Sequence, residues 1–275
     1  MTKDTIGFGI AGNFARHLEQ AGESADFVGI ETADEDAPKG IFPTYVPHCN
    51  TLLGIYPFSS ATIAKPQIPG QETPIQMEPE IALLCDMTYE NGKVAAIIPT
   101  HFGAYNDCSI RIEGAPKISV KKNWGANSKG ITAHMTPLDS FSPGGMLDHY
   151  ALTSFIKRDG ILHQYGEDSP LLTYSYFYDK LTDWIVEKLN HQRETGPLED
   201  LSALIEQAGY PAEMLISIGA TRYTPYGESH FLEKGDILYI IAYDMRIHTH
   251  EAITGMAERD AFHEEGISLL RQTVV

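Results

Sequence analysis

Positive charge is scarce in this sequence. Its 275 residues include 20 lysines and arginines against 37 aspartates and glutamates, which gives a formal net charge of −17. Phosphate backbones and anionic lipids repel such a chain, so we expect neither nucleic acid nor a membrane surface as its partner. A small anion can still bind where a metal or a local cation reverses the field.

Cysteines and long apolar runs are also few. The three cysteines (Cys49, Cys85 and Cys108) are an odd number without a C-x-x-C spacing, which argues against a disulfide scaffold and favours a reducing compartment. The first twelve residues contain no signal-peptide-like apolar segment, and no stretch approaches the ~18 apolar residues that span a bilayer. These features predict a cytoplasmic protein.

The sequence instead contains a mainly β pattern with a few helices. Asn91-Gly92 and Asp159-Gly160 are turn signals that predict two hairpins. Apolar stripes predict two helices within 178–208, and residues 251–271 look helical. We therefore predict an α+β, mainly β fold in a single domain over 1–275. Its parts are a strand, a helix and loops in 1–75, a core in 76–245 with a helical insertion at 178–208, and a C-terminal helical tail in 246–275.

Two acids stand at the start of an apolar run. Glu78 and Glu80 flank Pro79 just before Ile81–Leu84, which read as a strand. Side chains at i and i+2 of a strand share a face, so the two carboxylates would stand side by side. Carboxylates that close raise one another's pKa unless a cation holds them. A solvated strand edge is the alternative interpretation.

A third acid, Asp107, lies among small and apolar residues at another strand end, although a turn residue is the alternative there. Three oxygen donors with no cysteine and no fixed histidine spacing are typical ligands of a hard cation. Mg²⁺ is the default, with Mn²⁺ or Ca²⁺ as alternatives. Lys129, in a glycine-bounded loop, is a candidate to offset the surplus negative charge, unless it is simply a surface lysine.

Taken in chain order, these segments resemble those of the fumarylacetoacetate hydrolase superfamily. The resemblance covers roughly residues 6–242 and rests on the following segments: Gly12-Asn13-Phe14 with His17, Glu78-Pro79-Glu80, Asn106-Asp107-Cys108-Ser109-Ile110-Arg111, Lys129-Gly130, Asp159-Gly160 with Gln164, Gly219-Ala220-Thr221, and Leu232-Glu233-Lys234-Gly235-Asp236.

The resemblance implies a mixed β-roll core with peripheral helices, a homodimer, and Mg²⁺ or Mn²⁺ held by the three acids Glu78, Glu80 and Asp107. It also implies catalytic roles for His17 and Lys129, and substrate contacts from Arg111, Gln164 and Thr221.

The chemistry of such a site follows from its parts. A 2-oxo acid or 1,3-dicarbonyl compound can chelate the metal through two oxygens, which stabilises the enolate formed when a neighbouring C–C bond breaks. We therefore predict a divalent-metal-dependent hydrolase or lyase that cleaves a C–C bond in an acylpyruvate-like or oxaloacetate-like substrate. Its partner would be a small anionic carboxylate.

The chain departs from the family at the acid–base pair. In hydrolytic relatives a glutamate follows the histidine by three positions, whereas Gln20 follows His17 here. An amide cannot take or give a proton at neutral pH, so the pair is broken and His17 would act alone. This leaves open an alternative, namely a catalytically inactive protein of the same fold that binds a small ligand or a partner.

Overall fold

The computed structural model describes residues 2–14, 20, 27, 32, 36–67, 73–112, 114–262 and 265–275. Most regular structure in these ranges is β. The strands are β1 (Ile6–Ala11), β2 (Gly40–Tyr45), β3 (Phe58–Ser59), β4 (Thr62–Ile63), β5 (Ile75–Gln76), β6 (Pro79–Glu90), β7 (Lys93–Asn106), β8 (Ser109–Ile110), β9 (Lys129–Ile131), β10 (Thr136–Pro137), β11 (Tyr150–Arg158), β12 (Ile161–Pro170), β13 (Glu213–Ser217), β14 (Ile237–Asp244) and β15 (Ile267–Val274).

Short helices connect the strands. The α-helices are α1 (Ile118–Lys122), α2 (Tyr178–His191), α3 (Leu201–Gln207), α4 (Pro225–Ser229) and α5 (His250–Arg259), and 3-10 turns lie at Leu52–Gly54, Met146–His149 and Leu171–Thr173. No helix in the described ranges is both long and apolar enough to cross a bilayer.

The strands form two large sheets and a small one. The first runs in the order β2-β1-β13-β6-β7-β9-β3, with β10 beside β7, and the second runs β12-β11-β14-β15-β4. Strands β5 and β8 pair separately. Since β1 and β13 are parallel whereas β6 and β7 are antiparallel, the first sheet is mixed. The predicted α+β, mainly β fold class is confirmed.

The main core joins the two large sheets. Ile81 and Leu83 of β6 share one buried cluster with Ile240 of β14 and Leu270 of β15. Helix α2 adds Leu181, Ile185 and Leu189 at four-residue spacing, as the apolar stripe in the sequence predicts. The site described below lies where β6 begins and β7 ends, at the edge of this core.

Both predicted hairpins are present. Asn91 and Gly92 join β6 to β7 with φ of 52° and 76°, and Asp159 and Gly160 join β11 to β12 with φ of 52° and 80°. Two consecutive left-handed residues are what a two-residue turn requires to follow the twist of its strands.

The predicted helical tail is wrong in its second half. Helix α5 ends at Arg259, and residues 267–274 form β15 between β14 and β4. Alternate side chains of β15 (Ser268, Leu270, Gln272 and Val274) are buried, which is a period of two. Gly266, with a φ of 68°, begins the strand from a left-handed conformation that does not continue a helix.

Candidate metal centre

The β6–β7 hairpin brings the three predicted acids together. Its register pairs Pro79 with Asn106, so Glu78 and Glu80 at the start of β6 face Asp107 just beyond the end of β7. The Asp107 backbone N–H donates to the Glu78 carbonyl at 3.0 Å. One ligand atom from each carboxylate lies within 4.8 Å of the others, and each acid is at most 3% exposed. The acids are therefore a buried cluster and not a solvated strand edge.

Cationic side chains of the chain itself surround two of these acids. Lys122 Nζ, at the end of α1, lies 2.7 Å from Glu78 Oε2 and 2.6 Å from Asp107 Oδ2. Lys129 Nζ lies 3.1 Å from Asp107 Oδ1, and Arg111 Nη2 lies 2.8 Å from Glu78 Oε1. When all of these groups are ionised, three cations balance the three carboxylates. The chain thus supplies part of the positive charge that the acid cluster requires.

Glu80 has a different environment. Its Oε2 accepts a hydrogen bond from the Gly219 N–H at 2.8 Å, and no cationic side chain of the described residues forms an ion pair with it. Burial, followed by the charges of Asp107 and Glu78, raises the pKa of Glu80 well above its usual value. An additional cation beside Glu80 would reverse these effects, so this carboxylate marks the place where a metal would be favoured.

Burial also shifts the pKa values of Asp107 and of Lys129, which lies beside it. Burial raises the pKa of Asp107, and the charges of Lys122 and Lys129 oppose that rise. Burial lowers the pKa of Lys129, which the charge of Asp107 opposes, and Lys129 Nζ also donates to the Cys108 carbonyl. Each charged group at this position therefore depends on the others to stay ionised.

A cavity of about 10 Å³ lies against the three carboxylates and Lys122. Its walls include the loop that follows β1, together with Phe42 and Ala220. Such a volume admits about one water-sized species. The all-oxygen donor set, the space beside it and the absence of an ion pair to Glu80 among the described residues together fit a hard divalent ion.

Arg111 and Thr221 also lie at this site. Arg111 Nε donates to Gln76 Oε1 at 2.6 Å and its Nη2 donates to the Tyr223 hydroxyl at 3.0 Å, which fixes the guanidinium beside Glu78. The Thr221 N–H donates to the Pro79 carbonyl at 3.1 Å. Thr221 is 1% exposed, and its hydroxyl has no hydrogen-bond partner among the described residues.

Gln164, another predicted site residue, is not joined to the acids by any contact among the described residues. The Gln164 side chain donates to the Gly166 carbonyl at 3.2 Å, and no described bond links it to the three carboxylates. His17 lies outside the described residues.

Gln20, which stands where hydrolytic relatives carry glutamate, has a structural contact. Its Oε1 accepts from the Tyr223 N–H at 3.0 Å and its Nε2 donates to the Tyr223 carbonyl at 3.3 Å. The Tyr223 hydroxyl in turn donates to the Met77 carbonyl at 2.9 Å. An ionised carboxylate could only accept here, whereas an amide both accepts and donates, so Gln20 suits this position as a tether.

Lys122 is the site residue that the sequence did not reveal. Lys122 is the last residue of the five-residue helix α1, in which Lys121 is buried as well. The sequence of this helix therefore has no apolar stripe that would show which lysine points towards the site. The available signal was the unmet need of three acids for positive charge, which pointed to Lys129 alone.

Solved structures with the same fold include enzymes of the predicted superfamily. A crystal structure of Cg1458 with an inhibitor has a TM-score of 0.55 at 15% identity, covering 98% of this chain and 77% of that one. A 2-keto-3-deoxyarabinonate dehydratase has a TM-score of 0.53 at 14% identity, covering 98% and 72%. Yeast ynq8, a fumarylacetoacetate hydrolase family protein, has a TM-score of 0.52 at 13% identity, covering 99% and 94%.

These similarities establish that the chain has the fumarylacetoacetate hydrolase fold, as the motifs predict. The model of the family described as "Family of unknown function (DUF5718)" matches residues 23–274, so the chain belongs to that family. The matched span contains the three acids and both lysines but begins after His17 and Gln20. A comparison with curated proteins finds no match.

Proposed function

We propose that the protein is a divalent-metal-dependent hydrolase or lyase that cleaves a C–C bond in a 2-oxo acid or a 1,3-dicarbonyl compound. The observation that carries this proposal is the buried triad of Glu78, Glu80 and Asp107, in which Glu80 has no cationic side-chain partner among the described residues. A protein gains nothing in stability from burying this third carboxylate without a cation.

The three acids would hold Mg²⁺ or Mn²⁺, and the ion would supply positive charge to the oxygens of a bound carbonyl compound. The three cations Lys122, Lys129 and Arg111 already balance the triad, so a loaded site would carry a surplus of two positive charges. Such a surplus favours a small anionic carboxylate, of the acylpyruvate or oxaloacetate kind, over a neutral substrate.

The chain's own residues would bind and orient this substrate. Arg111 is held by Gln76 and Tyr223, so its guanidinium offers a fixed positive charge next to Glu78. The unpartnered Thr221 hydroxyl offers a hydrogen bond. The charge of Lys129 opposes the burial-induced rise in the pKa of Asp107. We propose that Lys129 also stabilises developing negative charge, with His17 as the base.

Substrate entry requires a larger cavity than the described walls leave. The cavity of about 10 Å³ holds about one water-sized species, so a 2-oxo acid would need more space than this beside the acids.

Calorimetric titration with Mg²⁺ and Mn²⁺ tests the proposal, using chelator-treated wild-type protein and Glu80→Gln. This variant removes a ligand and leaves every ion pair of the described residues intact. Asp86→Asn, an exposed acid in the same strand, is the matched control. Saturable binding by the wild type and the control, and its loss in Glu80→Gln, would support the proposal. A wild-type protein that binds neither metal would overturn it.

A catalytically inactive protein that binds a small ligand is the second candidate. The two-way tether of Gln20 to Tyr223 and the small volume of the cavity favour it. Metal-loaded protein assayed with oxaloacetate and acylpyruvates separates the two candidates, since an inactive protein would bind such compounds without turning them over.

The homodimer implied by the resemblance also remains a proposal, which light scattering coupled to gel filtration tests.

A further inference from the structure

Lys122 lies where two carboxylates of the triad converge. Its side chain is 2% exposed, and its Nζ is 2.7 Å from Glu78 Oε2 and 2.6 Å from Asp107 Oδ2. These are the lengths of strong charge-assisted hydrogen bonds. One ammonium group of the chain therefore bridges two of the three acids that would ligate a metal.

A metal ion and this ammonium group would need the same oxygen atoms. A divalent ion of this type lies about 2.0–2.2 Å from its carboxylate oxygens. An ion bound to the same oxygens as Lys122 would stand within about 5 Å of Nζ, with two cations facing each other in a buried site. Repulsion at this distance, where water cannot screen it, disfavours simultaneous occupancy.

The structure also offers a place for a displaced ammonium group. The Phe42 ring centroid is 5.0 Å from Nζ, and Phe42 and Lys122 both line the cavity beside the acids. A cation over an aromatic face keeps part of its electrostatic stabilisation after it leaves a carboxylate. A modest rotation of the Lys122 side chain could therefore free the two oxygens.

We propose that Lys122 is a resident cation that competes with the divalent metal for Glu78 and Asp107, so that this lysine sets the metal affinity of the site. The inference rests on the proposed function, because it presupposes a metal at the triad. Without metal, the Lys122 ammonium group forms ion pairs with both acids. Metal entry requires Nζ to withdraw from both of them.

Metal titrations of Lys122→Met and Lys122→Gln against wild type test this competition. Methionine keeps most of the volume without the charge, and glutamine keeps a hydrogen-bond donor for the carboxylates if the methionine variant does not fold. Lys117→Met is the matched control, because Lys117 adjoins the start of the same helix and its Nζ bonds to the carbonyls of Gly196 and Leu198.

Calorimetry with Mn²⁺ and thermal unfolding with and without Mn²⁺ are the readouts. We expect a Lys122 variant to bind Mn²⁺ at least tenfold more tightly than wild type, to unfold at a lower temperature without metal, and to gain a larger Tm increase from it. Lys117→Met should bind as wild type does.

Equal or weaker binding by the Lys122 variants would overturn the inference and leave the proposed function standing. No binding by wild type or any variant would overturn both. A crystal structure of wild-type protein with Mn²⁺ decides the same point without a substitution. Lys122 Nζ still bridging Glu78 and Asp107 beside a bound ion would refute the competition.

Discussion

Removing Asp107 should destabilise the metal-free protein strongly, whereas removing Glu80 should not, although both acids belong to one cluster. Asp107 forms ion pairs with Lys122 at 2.6 Å and with Lys129 at 3.1 Å, and both lysines are almost fully buried. Glu80 accepts a hydrogen bond from Gly219 and forms no ion pair among the described residues. Asp107→Asn would therefore remove one ion-pair partner from each of two buried ammonium groups. Glu80→Gln would instead relieve the repulsion of Glu80 by Asp107 and Glu78.

The magnitude follows from these distances. At an effective dielectric constant of about 20, the two attractions at Asp107 are about 6 and about 5 kcal/mol. Desolvation of the carboxylate and repulsion from Glu78 and Glu80 offset much of this sum. Loss of one partner from a buried pair typically costs about 3–5 kcal/mol. For a chain of this size, that corresponds to a Tm decrease of roughly 6–20 °C.

Urea unfolding and thermal unfolding in the presence of a chelator measure these changes. We expect Asp107→Asn to lose about 3–5 kcal/mol, and Glu80→Gln to stay within about 1 kcal/mol of wild type or to exceed it. Asp86→Asn, at an exposed position of β6, is the control and should stay within about 0.5 kcal/mol. An Asp107→Asn protein as stable as this control would refute the ion-pair account of the cluster.

Three further predictions follow from the contacts around the site. Burial raises the pKa of Glu199 from 4.5 to about 6. The free energy of unfolding of wild type should therefore fall by up to about 2 kcal/mol relative to that of Glu199→Gln as the pH rises through this interval. Urea unfolding at several pH values measures this fall. Gln20→Glu removes the donor to the Tyr223 carbonyl and should destabilise the protein by about 1–3 kcal/mol without producing acylpyruvate hydrolysis. Acylpyruvate hydrolysis by this variant would contradict the structural role of Gln20. Gly219 has a φ of 112°, and a Cβ added there would lie 3.1 Å from the Asn13 Cβ. Gly219→Ala should therefore lower the free energy of unfolding by about 1–3 kcal/mol and weaken metal binding. Urea unfolding and calorimetry measure these two effects.

Local patterns predicted the parts of the fold that depend on short stretches of chain. The turn residues of both hairpins and the apolar stripe of α2 were readable because each reflects backbone geometry within a few residues. The same regularity predicted that Glu78 and Glu80 lie side by side. The period-two alternation of β15 is also present in the sequence. The predicted helix over 251–271 instead continues the helical pattern of α5 past Gly266, whose left-handed conformation does not continue a helix.

Contacts between distant segments could not be read in this way. Glu78 and Lys122 are 44 positions apart in the sequence, and nothing in the interval, which contains β6, β7 and most of α1, predicts the 2.7 Å contact between the two side chains. Gln20 and Tyr223 are 203 residues apart, and their paired hydrogen bonds are equally invisible in the sequence.

The sequence by itself determined that this protein is mainly β and that three acids stand at the ends of neighbouring strands. Only the tertiary structure decided which cations face them. The reason is physical: side-chain direction along a strand follows from local backbone geometry, whereas the partner of a buried charge depends on how whole elements pack. The packing of α1 against β2 and β8 placed Lys122, and not Lys129 alone, among the carboxylates.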